Sequence, residues 1–280
     1  MAIRELLSTP SLYEQRVYRE IYAWRHREPS WLRRKVRWLN RPLKLASKRA
    51  MQIPGVGWTL DNLVVGLVQC ANEITQDTIS HTAAIESFRS KGHQVHTFSD
   101  IAQLDLEAVD HVISGLDLRY QSLTAAHGAA AGLAGVAGLI PDIVALVTLN
   151  LRVTGQIALC CGYDISSPEE RNYALDVLSV AAHEGGKEEG HTGALVRKHT
   201  RSVMEQATVG VALRGTARVL GMRLVKLKLA QVIPLAAVVA GGGFNAYYTA
   251  RVCETARHLY RERRLHNKYA DSVLNSILKQ

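Results

Sequence analysis

Between residues 120 and 163 only two of 44 side chains carry a charge, Asp142 and Arg152. A stretch so apolar has to leave water, and a helix is the structure that satisfies its backbone from within. Its first half, AAHGAAAGLAGVAGLIP, is rich in alanine and glycine and ends at Pro141. Its second half, DIVALVTLNLRVTGQIALCCGYD, reads as a long apolar helix closed at Gly162. At 100° per residue Gly128, Gly132 and Gly135 fall within about 60° of one another. A face of hydrogens admits a second helix at close range, which is the logic of small-residue packing. Residues 229–250 form a second stretch with no charge at all. Either stretch approaches the ~20 apolar residues needed to cross a bilayer. Pro141 and Asp142 interrupt the first, however, and Pro234 with Gly241-Gly242-Gly243 interrupts the second. The expectation is a buried helix pair, with a hairpin dipping into lipid as the alternative.

The remaining chain is also helical in pattern. Pro54, Gly55 and Gly57 mark a turn into a helix expected over 61–88. Residues 89–99 read as a loop. Asp100 and Asp105 can each cap a helix, and 105–123 has the period of an amphipathic helix. Ser167-Pro168-Glu169-Glu170 is a strong helix start, with a serine cap, proline in the first turn and glutamate at the capping-box position. That helix should run to about His183, before Gly185-Gly186. A basic amphipathic run comes next over 194–228, and a basic helix is expected from Arg251 onward. Alternating strand patterns are almost absent, so the fold expected is an all-α multi-helix bundle with tightly packed Ala/Gly-rich central helices. A basic, tryptophan-containing helical arm over 1–50 would precede a helical domain over 51–280.

Charge sharpens this division. The net charge of +9 is the sum of three unlike segments. Residues 1–50 hold 13 basic and 4 acidic side chains, residues 51–189 hold 6 and 17, and residues 190–280 hold 15 and 4. The chain is therefore basic, then acidic, then basic. In the arm, Trp24, Trp31 and Trp38 recur every seven residues among cations that include Arg33, Arg34 and Arg37. Indoles favour the membrane interface and cations are drawn to anionic head groups. The competing reading docks the indoles on the helical body and leaves the arginines in water. Arg214 and Arg218 precede the second charge-free stretch. Arg257, Arg261, Arg264 and Lys268 succeed it at spacings of 4, 3 and 4, one helical stripe. Cations on both flanks suit an element lying at the cytoplasmic membrane face, although such a stripe can equally be a solvated surface. Nothing resembling a nucleic-acid recognition fold accompanies the charge, so nucleic acid is not an expected partner.

Catalytic signals are weaker. Cys70, Cys160, Cys161 and Cys253 are too few for a disulfide scaffold and read as reduced packing residues of a cytosolic protein. Arg4 and Glu5 interrupt the N-terminus before an apolar run can form, so no secretory signal is expected. His183-Glu184 fails the zincin pattern because Lys187 stands where the second histidine is needed. Gly185-Gly186-Lys187 lacks the spacing and hydroxyl of a phosphate loop, and no nucleophile elbow is present. Glu73, Asp77 and His81 repeat every four residues and could line one helix face as a carboxylate–histidine ligand set. A plain polar stripe is the competing reading. The chain is not expected to be an enzyme, nor to carry a metal or cofactor.

The run AAGLAGVAGLIPDIVALVTLNLRVTGQIALCCGYD, with Ser-Pro-Glu-Glu-Arg just beyond it, resembles the EcsC protein family. The C-terminal IPLAAVVAGGGFNAYYTARVCETARHLYRERRL and the upstream IPGVGW fit the same pattern, so the resemblance covers roughly residues 40–265. The family takes its name from a bacterial protein encoded beside an ABC transporter. The resemblance implies a predominantly helical cytoplasmic bacterial protein linked to transport or the membrane, and it carries over no catalytic residue. The function expected is a non-enzymatic protein held peripherally at the inner membrane face by anionic lipid, accessory to an ABC transporter or a secretion protein. A metal-dependent hydrolase on Glu73, Asp77 and His81, or a soluble protein–protein interaction module, are the alternatives.

Overall fold

The computed structural model describes residues 9–27, 62–63, 65–70, 79–133, 138–182, 206–229 and 237–279. Ten helices are named among them: α1 (Leu12–Arg25), α2 (His81–Arg89), α3 (Phe98–Ile101), α4 (Leu106–Ile113), α5 (Leu116–Leu133), α6 (Leu139–Cys160), α7 (Pro168–Ala181), α8 (Gln206–Leu229), α9 (Ala237–Lys268) and α10 (Asp271–Ile277). The described residues contain no strand, so the fold is an all-α bundle.

Local chemistry explains most of the boundaries. Ser11 caps α1 in a reciprocal box with Glu14: Glu14 N donates to Ser11 Oγ at 3.1 Å and Ser11 N donates to Glu14 Oε2 at 3.0 Å. Ser167 caps α7 as its sequence promises, accepting from Glu170 N at 3.1 Å. The end of α6 is a Schellman turn. Gly162 adopts φ +86°, its N–H reaches Leu159 O, and Tyr163 N reaches Ala158 O, both at 2.9 Å. Only glycine accepts that left-handed backbone without strain.

Two expected helices are divided. Residues 62–63 and 65–70 are helical, but residues 79–80 are not, and Ser80 Oγ accepts from Ala83 N at 3.1 Å to start α2 afresh. The helix expected over 105–123 breaks between Ile113 and Leu116, where Gly115 takes φ +85°. The amphipathic period continues across that break, which is why periodicity alone overlooked it. Asp100 sits in the first turn of α3, accepting from the N–H groups of His96 and Thr97 at 2.9 and 2.8 Å. These bonds hold its carboxyl below the usual range.

At the centre lies α6, whose Ile143, Leu146, Val147, Leu151, Val153 and Ile157 are buried. It packs against α5, α7, α8 and α9. The 32-residue α9 is about 48 Å long at 1.5 Å per residue. It runs unbroken from the glycine-rich segment into the basic one and lies antiparallel along α5. Their approach is close at Gly242, where a Cβ would stand 2.8 Å from Ala125 O. Helix α1 adds Val17, Tyr18 and Ile21 to the same core, so this part of the arm belongs to the bundle.

A polar chain crosses the α6, α9 and α5 interface. Asn150 Nδ2 donates to Thr249 Oγ1 at 3.1 Å, and Thr249 and Thr124 hydroxyls meet at 3.0 Å. Thr124 Oγ1 returns to Tyr120 O at 2.9 Å. Helix α6 is long and apolar enough to cross a membrane by composition, with a mean hydropathy of 1.6, but 67% of that apolar window is buried among the other helices.

Candidate functional site

The two isolated charges of the apolar interior needed partners, and the fold provides one set. Asp142, in the first turn of α6, meets Lys228 near the end of α8 in a buried ion pair. Asn245 of α9 donates to Asp142 Oδ1 at 3.1 Å, and His127 Nδ1 of α5 lies 3.3 Å from the same oxygen. The Phe244 ring lies 5.5 Å from Lys228 Nζ. Burial pushes the Lys228 ammonium down to about 8, and the Asp142 carboxylate is the opposing charge that favours its protonated form. Asn245 is fully buried, with its Oδ1 unpartnered. Four helices therefore converge on one carboxylate. Such a cluster can hold or pass a proton, with the half-exposed His127 on its outer side.

The C-terminal stripe is turned inward. Arg257 approaches Asp117 at 3.4 Å. Arg261 Nε donates to Asp110 Oδ1 at 2.7 Å, and Tyr13 Oη donates to the other oxygen at 2.6 Å. Arg264 is buried and caps two helix ends at once. Its Nη1 donates to Cys161 O at 3.0 Å, while Nη2 donates to Ile101 O at 2.9 Å and to Ala102 O and Leu104 O. Those carbonyls lie at the end of α6 and in the turn that follows α3, where helix ends favour a cationic donor. Lys268 donates to Glu14 Oε1 at 2.9 Å, and Tyr269 Oη to Glu14 Oε2 at 2.6 Å. The physical reason is common to all four: each cation faces a carboxylate or a row of carbonyls on a helix packed against α9.

Sequence reasoning overlooked Arg263, which sits between these residues. It makes a two-pronged pair with Glu170 at 2.7 and 2.9 Å, and its guanidinium lies 4.0 and 4.4 Å from the ring centres of Tyr163 and Tyr173. Glu170, expected to complete the α7 capping box with its carboxylate, is used here instead. Regular spacing favoured Arg261 and Arg264, while Arg263 has no local signal of its role.

Arg214 and Arg218 behave differently: both are exposed on α8 beside Val219. Trp24 is half-buried and stacks on His258 with ring centres 4.6 Å apart. Trp31, Trp38, Arg33, Arg34 and Arg37 lie outside the described residues. Gly128 is buried on α5, Gly132 continues that helix, and Gly135 lies outside the described residues. Of the ligand set proposed from spacing, Glu73 and Asp77 lie outside the described residues too. His81 instead pairs with Asp164 at 3.0 Å and stacks on Phe98 at 4.0 Å. Among the described residues no group of three or more metal-ligating side chains occurs. Burial raises the thiols of Cys160, Cys161 and Cys253 to about 12, which suits packing rather than reactivity.

These features define an all-helical protein whose long C-terminal helix anchors its neighbours through buried charges. The EcsC protein family model matches residues 15–265, and the chain belongs to that family. The chain is 27% identical over 172 residues to the uncharacterized protein YdbA of Bacillus subtilis (strain 168). That match covers 60% of this chain and 62% of YdbA, less than two thirds of its length. It is 25% identical over 190 residues to protein EcsC of the same organism, covering 64% of this chain and 77% of that one. No solved structure matches significantly.

Proposed function

We propose that this protein is a non-enzymatic helical bundle that binds the cytoplasmic membrane face peripherally and serves a transporter or secretion protein there. The observation that carries the reading is the contrast between its two sets of cations. Arg257, Arg261, Arg264 and Lys268 pair with groups inside the bundle, whereas Arg214 and Arg218 stand exposed on one face of α8 beside Val219. Exposed cations near an anionic surface contribute about 1 kcal/mol each. The strongly basic sequence over 30–50 supplies further charge of the same sign. Resemblance to a family named for a protein encoded beside an ABC transporter supports the accessory role.

Cell fractionation with separate salt and carbonate washes tests this. Release from membranes by salt is the expected result. A wholly soluble distribution, or retention through carbonate, overturns peripheral attachment.

A second reading is favoured by one observation. Leu118, Leu123 and Leu133 on α5 and Tyr247 on α9 are 69%, 47%, 79% and 53% exposed, large apolar side chains that a protein partner could cover. An interaction module would bury them against a protein and form a soluble complex.

A further inference from the structure

We infer that the groove between α1 and α9 is an oxyanion site that takes a phosphate-class group. The groove is a polar cavity of about 250 Å³. Its walls are helical faces at matching periods: Tyr13, Arg16 and Glu20 from α1, and Glu254, Arg257, His258 and Arg261 from α9. Three guanidiniums thus border a space with room for a tetrahedral oxyanion.

Each arginine has donors to spare. Arg261 commits its Nε to Asp110, and Arg257 commits one terminal nitrogen to Asp117 at a long 3.4 Å. A guanidinium carries five N–H donors in a planar fork that matches phosphate. Arg16 lies with its guanidinium carbon 4.9 Å from the Tyr13 ring centre and has no carboxylate partner among the described residues. Of the two carboxylates on the walls, Glu254 is engaged by Arg27 at 3.6 Å, and Glu20 is exposed.

His258 lines the groove. Its ring is 6% exposed, Nδ1 has no hydrogen-bond partner, and Trp24 covers one face. Burial, reinforced by Arg261, Arg257 and Arg27, holds the imidazole neutral far below its ordinary range. A polar groove in which three arginines keep uncommitted N–H donors can hold an oxyanion in forked geometry, and a doubly charged one gains most. A free phosphate and a lipid phosphomonoester head group share that chemistry. The inference does not rest on membrane attachment, because free phosphate can occupy the groove in solution.

The test uses the full chain with ring-labelled histidine, observed by NMR at constant ionic strength. The His258 signal is assigned from the spectrum of His258→Gln. Titration with inorganic phosphate is expected to shift that signal saturably, with sulfate competing and chloride inert. Arg16→Ala, an exposed substitution checked by an unchanged Tm, should weaken binding by about tenfold or more. A parallel titration uses phosphatidylcholine vesicles with and without phosphatidic acid. A response to phosphatidic acid without one to inorganic phosphate assigns the site to a lipid head group, and a response to both assigns it to the phosphate group itself. Absence of a saturable His258 shift in both arms overturns the inference, as does equal binding by Arg16→Ala.

Discussion

Asp142 and Lys228 place opposite full charges side by side in the buried interior. Removing one partner leaves the other desolvated. Asp142→Asn should therefore cost about 3 kcal/mol in chemical denaturation, whereas the paired replacement Asp142→Leu with Lys228→Met should recover much of that loss. A full loss in the double variant would mean that Asn245 and His127 matter more than the pair does. His258 offers a pH test at the same scale. Its folded pKa of about 3 lies below the ordinary 6.5, so the unfolded chain binds the extra proton first. The stability due to this group is present above pH 6.5 and falls as pH drops toward 3. Between pH 6.5 and 5 the loss is about 2 kcal/mol. His258→Gln should flatten that part of the stability–pH curve; an unchanged slope assigns it to other groups.

At the scale of elements, contacts between helices are carried by single decisive positions. Gly242 lets α9 reach the Ala125 carbonyl of α5, and Gly242→Ala should lower stability by about 2 kcal/mol because backbone, not a flexible side chain, stands in the way. An unchanged Tm would show that the two helices can part at little cost. Arg263 ties α9 to the first turn of α7 through Glu170, with both side chains 13% exposed. A double-mutant cycle with Arg263→Met and Glu170→Gln should give a coupling of about 2 kcal/mol, since two parallel charge-assisted bonds are lost together. Coupling near zero would leave the tyrosine rings as the real anchor. Several of these elements are legible in the sequence. The Ser167 cap and the Gly162 stop arise from bonds spanning three to five residues, which sequence records directly. The breaks at Ser80 and Gly115 are not legible from periodicity, because the apolar period continues across them, although Ser80 and Ser114-Gly115 are weak helix formers.

For the whole molecule, the three-part charge pattern takes on a different meaning once folded. The acidic middle supplies Asp110, Asp117 and Glu170, and the basic C-terminal helix supplies Arg261, Arg257 and Arg263, so part of the segregation is internal neutralisation across the bundle. Membrane attachment then falls to the cations that remain outside. Replacing Arg214 and Arg218 together by glutamine should reduce binding to anionic vesicles by about tenfold or more, at roughly 1 kcal/mol per cation, without altering Tm. Equal binding by that variant in co-sedimentation would remove α8 from the contact surface. The sequence alone determined that the chain is helical and where several helices begin and end, because capping and periodicity act locally. Only the tertiary structure decided which cations face inward. The carbonyls and carboxylates that hold Arg261, Arg263 and Arg264 lie about 90 to 160 residues away, and their positions exist only once α9 is packed against α4, α6 and α7.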